Sequence, residues 1–78
     1  MVFQKVAKIL SEIIEADPED ITPETELTPN NGMDAVSVAK LVIASEKKFG
    51  IIVRDEEVHT WKNVKDVVGY IEKTLADI

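Results

Sequence analysis

In this 78-residue sequence the side chains that offer chemistry are mainly hydroxyls, carboxylates and a single imidazole, because cysteine is absent. That absence removes thiol catalysis, thiolate metal sites and disulfide staples together, and it fits a reducing compartment. His59 is the lone histidine. Without a second imidazole or a cysteine nearby, metal ligation and nucleophilic catalysis gain little support, and His59 reads as a capping or surface residue. Asp17, Glu19 and Asp20 offer a loose cation site at best, since the central glycine of a calcium loop is missing, so no metal is expected. The stretch that stands apart is GMDAVSVAKLV, residues 32–42. Asp34 reads there as a helix N-cap, its carboxylate suited to the unpaired N–H groups of the first turn and to the positive end of the helix dipole. The residue that follows, Ala35, offers only a methyl group. No nucleophile, base and oxyanion donors assemble from this inventory, so no catalytic residue is expected and the chain does not read as an enzyme.

The elements that must position this stretch follow from periodicity. Phe3, Val6, Ala7, Leu10, Ile13 and Ile14 fall at helical spacing, which predicts a first helix over residues 2–15. ADPEDITPETELTPNNG then carries all three prolines, and Asp17-Pro18 and Thr22-Pro23 each read as a cap followed by proline at the start of a single turn. In this long loop Ile21 and Leu27 are the apolar residues expected to tuck under the rest. A second helix runs from Asp34 to Phe49, with Gly50 as its left-handed terminator. Ile51 to Val53 is predicted to be an extended connection, because a lone strand has nothing to pair with. Residues 54–59 form a one-turn helix, and Asn63 with Asp66 makes a variant capping box for the last helix. Its buried stripe is Val64, Val67, Val68, Ile71 and Leu75. The expected core is Val6, Leu10, Ile13, Val42, Phe49, Val64, Val67, Val68 and Ile71. The fold class is therefore all-α, a small antiparallel bundle of three longer helices plus one short helix, with a long loop between helices one and two. Residues 1–78 are expected to form a single domain, and no repeats or linkers interrupt it.

Fifteen acids face nine bases, a net charge of −6. From Glu12 through Asp34 there are eight acids and no base. Nucleic acid and anionic membranes reward cationic surface, so neither is expected as a partner; a basic protein surface is favoured. The opening MVFQKVAKIL does not read as a signal peptide, and no apolar run approaches a membrane span. A cytoplasmic, monomeric protein is expected.

Five pieces of the sequence, in order and spacing, resemble the acyl carrier protein family over nearly the whole chain. They are ITPETEL, GMDAV against the family's Gly-x-Asp-Ser-Leu, LVIASEKKFGI, the DEEV turn, and NVKDVVGYI against Thr-Val-x-Asp-x-x-x-Tyr-Ile. The resemblance implies a carrier whose serine at the start of helix two bears 4'-phosphopantetheine, attached by a phosphopantetheinyl transferase, with acyl groups held as thioesters on the arm for fatty-acid, polyketide or related biosynthesis. A phosphodiester suits a helix N-terminus. Asp34 and Ala35 fall on the cofactor-binding positions, and Ala35 stands where the family has its serine. The arm cannot be attached there, because a methyl group cannot attack a phosphoanhydride.

Ser37 lies two residues on, roughly 200° around the helix, and is a poor substitute; Thr28 and Ser45 are worse placed. Two explanations stand. One is a real carrier in which serine has been replaced, favoured because Gly32, Asp34 and an aliphatic Val36 are retained. The other is a natural arm-free adaptor that binds an enzyme partner. The resemblance implies acyl-transferring enzymes with basic or mixed surfaces and the transferase as partners. Lys40, Lys47 and Lys48 beside Glu46 make the face mixed where the family has acids, which suggests a partner set unlike that of a general fatty-acid carrier. Val36, Lys40 and Ile43 are the expected partner-binding residues on the outer side of helix two. Trp61, where the family has an aliphatic residue, is expected in the core or narrowing the mouth of the acyl cavity.

Overall fold

A computed structural model describes residues 1–77, and residue 78, the end of the range expected for the domain, lies outside the described residues. Helix α1 spans Val2–Ile14 and buries Val6, Ala7 and Leu10 along one stripe. It stops one residue short of the expected 2–15. Glu15 adopts φ 55° and ψ 43°, and its N–H returns to the Ser11 carbonyl, so it terminates α1 instead of extending it. Ala16 donates to the same carbonyl at 3.0 Å. The end carbonyls of a helix lack intrahelical donors, and this left-handed cap supplies them without a glycine.

The following loop is ordered by local caps and by the last helix. Asp17 Oδ1 accepts the Glu19 N–H at 3.0 Å and starts a 3-10 turn over Pro18–Asp20, as its sequence predicts. Thr22-Pro23 behaves differently. The Thr22 N–H donates to Thr25 Oγ1 at 2.8 Å and the Thr25 N–H donates to the Thr22 carbonyl at 3.0 Å. A tight turn results, whose side-chain acceptor is Thr25, whereas the expected cap was Thr22. The second 3-10 turn is instead Pro29–Asn31, behind Thr28. Leu27 donates to the Lys62 carbonyl at 2.9 Å, Val64 to Thr25 at 3.0 Å and Lys65 to Pro23 at 2.9 Å. Val64 and Lys65 open the last helix, where N–H groups have no intrahelical acceptor, so the loop satisfies them. Ile21 and Met33 are buried and Leu27 is half-buried, which pins the loop from beneath.

Helix α2 spans Ala35–Phe49 and ends at Gly50, with φ 65° and ψ 38°. Ile51 to Val53 is neither helical nor, among the described residues, paired in any ladder. Side chains replace the missing strand: Glu46 Oε2 accepts the Val53 N–H at 3.0 Å, and the Tyr70 hydroxyl donates to the Ile52 carbonyl at 3.1 Å. Helix α3 is the single turn Asp55–Val58. Helix α4 spans Val64–Ala76 and carries the capping box, with Asn63 Oδ1 accepting the Asp66 N–H and Asp66 Oδ2 accepting the Asn63 N–H, both at 3.3 Å.

Among the described residues the architecture is all-α: three longer helices, one short one, and α1 packed against both α2 and α4. Val6, Leu10, Leu41, Val64, Val67 and Ile71 are fully buried. Five of these were expected. Ile13, Val42, Phe49 and Val68 are only half-buried, and α2 buries Leu41 and Ser45 at its deepest points. The run LVIAS offers an apolar or small residue at nearly every angle, so periodicity alone does not select the inward face; the contact with α1 does. Ile51, Val53 and Trp61 complete the core.

Candidate functional site at the start of α2

Gly32, Met33 and Asp34 fix where α2 begins. Gly32 ends the Pro29–Asn31 turn with φ 84°, a left-handed conformation that a side chain would strain. A Cβ there would also lie 3.4 Å from the Ile14 side chain. Met33 is 2% exposed and its N–H donates to the Thr28 carbonyl at 2.9 Å, so the loop is anchored one residue before the cap. Asp34 Oδ1 accepts the Ser37 N–H at 2.9 Å, and its carbonyl accepts the Val38 N–H at 2.9 Å.

The Asp34 carboxyl is held below its ordinary value of 3.8. The Ser37 N–H is the main cause, followed by the Ser37 side chain, with Lys40 and the Val36 N–H assisting; partial desolvation opposes them. Every assisting group favours the charged carboxylate, as expected for an N-cap at a dipole's positive end.

Ala35 is exposed as the first residue of α2. Val36 is 64% exposed, Ile43 is 51% exposed and Lys40 is exposed. Spaced at i, i+4 and i+7, these three share one outward face of α2. Beside them runs a groove of about 350 Å³ between α2 and α3, lined by Ala35, Val38, Ala39, Val42, Val58 and His59, with Ile43 and Asp55 at its edges. The sequence reading missed this groove. Its signal is the small and apolar series Ala35, Val38, Ala39 and Val42 at helical spacing, of which only Val42 was expected in the core. Lys47 and Lys48 do not share the neighbourhood of Lys40 and Asp34; they border a different cleft, against α1.

The remaining candidates fall outside the site or at its edge. His59 is exposed and closes α3, its N–H donating to the Asp55 carbonyl at 3.4 Å. Trp61 is core, edge-on to Tyr70 with ring centroids 5.8 Å apart, and it does not line the groove. Ser37 and Thr28 are half-buried and Ser45 is fully buried. Among the described residues, no group of three or more His, Cys, Asp or Glu side chains gathers as a metal site. No helix among them is long and apolar enough to cross a membrane.

An exposed, well-capped helix start beside an apolar groove on a small helical bundle is an arrangement that suits a carrier-type domain. Comparison with known proteins agrees. The family described as "Phosphopantetheine attachment site" matches residues 4–71. The chain is similar to proteins named "Acyl carrier protein" from Helicobacter pylori, at 37% identity over 70 residues covering 90% of each chain, and from Helicobacter hepaticus, at 39% over 70 residues covering 90% of this chain and 92% of the other. The protein of the same name from Phytoplasma mali is 34% identical over 73 residues, covering 94% of this chain and 87% of the other. The chain belongs to the acyl carrier protein family. Proteins of this family are carriers and not catalysts, and the prosthetic group that the family implies is 4'-phosphopantetheine.

Proposed function

We propose that this chain is an acyl carrier protein whose arm-bearing position is residue 35, and that Ala35 holds it in the unmodified state. The observation that carries this reading is the position of Ala35: exposed, first in α2, directly after the Asp34 cap and the left-handed Gly32. A helix start of this kind suits a phosphodiester, since first-turn N–H groups and the dipole both favour an anion. The surroundings fit the group; the bond does not, because the alanine methyl offers no oxygen to attack the phosphoanhydride of coenzyme A. Burial disfavours the three hydroxyls weighed as substitutes. Ser45 is inaccessible, Thr28 is half-buried, and Ser37 is half-buried with its N–H held by the carboxylate of Asp34.

The rest of the site retains what a carrier needs, which favours replacement of a serine over a natural adaptor. Asp34 sets the turn, while Val36, Lys40 and Ile43 present an exposed face that phosphopantetheinyl transferase and acyl-transferring enzymes with basic or mixed surfaces would meet. Residues 1–78 act as one acyl-carrier-like domain, a cytoplasmic monomer in this reading. A competition assay tests docking apart from chemistry. With coenzyme A and a broad-specificity phosphopantetheinyl transferase, the chain should slow the loading of its own Ala35→Ser variant, because it docks yet cannot react. Loading of Ala35→Ser at an undiminished rate under excess Ala35 chain would contradict the reading.

A further inference from the structure

We propose that the cleft between α1 and α2 is a second docking surface, and that its occupant is an acidic amphipathic helix of a protein partner. The cleft has a volume of about 840 Å³. Lys5 and Lys8 line it from α1 and Lys47 and Lys48 from α2, with Ile9 and Ala44 between them. Four of the chain's nine lysines and arginines thus gather in one place, in a protein of net charge −6. A single acid, Glu12, joins them. Lys5 also has its Nζ 5.9 Å from the centroid of the Phe49 ring, a cation–π contact that holds one rim of the cleft.

Cations on both rims with apolar residues between them complement a helix whose apolar stripe is flanked by carboxylates. The α1 side runs from Met1 to Glu12, roughly 16 Å at 1.5 Å per residue, which accommodates about three turns of such a helix. Nucleic acid and anionic membranes match the lysines but extend past them, towards the stretch from Glu12 through Asp34 with eight acids and no base, which repels a polyanion. Beyond the end of α1, a second copy of the chain offers that acidic stretch as a loop fastened to α4, not as a helix with an apolar stripe. Ala44 lies nine residues after Ala35, roughly 180° around α2, which sets the cleft apart from the groove beside Ala35. Lys47, four residues after Ile43, continues the face of Val36, Lys40 and Ile43 towards the end of α2.

The test uses the full chain and a synthetic helical peptide with a leucine stripe flanked on both sides by glutamates, alongside its glutamine counterpart. Fluorescence anisotropy gives affinity and amide chemical shifts give location. The glutamate peptide should bind saturably, weaken with salt, and shift the amides of Lys5, Lys8, Ile9, Ala44, Lys47 and Lys48. Lys5→Glu/Lys8→Glu and Lys47→Glu/Lys48→Glu should each weaken it by about tenfold. The milder Lys47→Gln/Lys48→Gln variant guards against a folding defect, and Ala35→Ser should leave the affinity unchanged. The proposal is overturned by absence of saturable binding, by equal binding of the glutamine peptide, or by shifts confined to the flank of Ala35 and Ile43. Tighter binding to a DNA duplex or to phosphatidylglycerol vesicles would also overturn it. So would self-association, seen by sedimentation, that the same lysine variants abolish.

Discussion

The Asp34 carboxylate accepts the Ser37 N–H at 2.9 Å and thereby decides that Ala35, and no other residue, opens α2. The same contact makes the site sensitive to acid. Because the folded-state value of Asp34 is depressed below 3.8, its contribution is present above that value and is lost as pH falls through the lower folded one. Asp34→Asn should therefore lower the thermal midpoint at neutral pH and flatten the dependence of the midpoint on pH in the acid range. Thermal unfolding of both chains from neutral to strongly acidic pH checks this, and parallel curves would contradict it.

Ser45 is fully buried on α2 and, among the described residues, its hydroxyl has no hydrogen-bond partner. An unsatisfied buried hydroxyl costs about 1–3 kcal/mol, and alanine fills nearly the same volume. Ser45→Ala should thus stabilise the fold by about 1 kcal/mol, read as an increased denaturation midpoint at constant slope. Ser45→Val, which adds volume to a packed core, should not reproduce the gain.

Glu15 ends α1 at φ 55°, where residues other than glycine and asparagine are strained. Glu15→Gly should stabilise by up to about 1 kcal/mol, the relief of strain exceeding the added freedom of the unfolded chain. Gly50 holds the equivalent place after α2 with φ 65°, and Gly50→Ala should destabilise by a similar amount of about 1 kcal/mol. Opposite shifts of the two thermal midpoints are the expected result.

Much of this fold is legible in the sequence where a local signal has one solution. Asp34 followed by an apolar period, Gly50 after Phe49, and Asn63 with Asp66 three positions on each specify a helix end, and each forms as read. Legibility fails where several solutions are locally equal. Thr22-Pro23 and Thr28-Pro29 look alike, and only Thr28 starts a 3-10 turn, because backbone bonds from Leu27, Val64 and Lys65 tie the loop to the start of α4 and settle its path. No periodic or capping signal marks Met33, yet it is nearly fully buried. On α2, apolar residues on most faces hid both the true inward pair, Leu41 and Ser45, and the groove beside Ala35. The outward placement expected of Val36, Lys40 and Ile43 on the outer side of helix two agrees with their exposure.

Val36 and Ile43 expose apolar surface that the fold does not need, so they probe docking cleanly. Val36→Asp and Ile43→Ala should each weaken binding to phosphopantetheinyl transferase while moving stability by less than about 0.5 kcal/mol, as exposed substitutions usually do. Titration by calorimetry beside thermal unfolding separates the two effects. Unchanged affinity in both variants would place the docking face elsewhere, on the acidic loop from Asp17 to Glu26.

The central claim is that residue 35 is the arm-bearing position and that its methyl group alone blocks modification. Intact-mass spectrometry, after incubation with coenzyme A and a broad-specificity phosphopantetheinyl transferase, tests it most directly. The chain as it stands should show no gain, and Ala35→Ser should gain the mass of one phosphopantetheine arm. A gain on the unaltered chain would move the attachment point to another hydroxyl, Ser37 first, and a folded Ala35→Ser chain that stays unmodified would make this protein an adaptor and not a carrier.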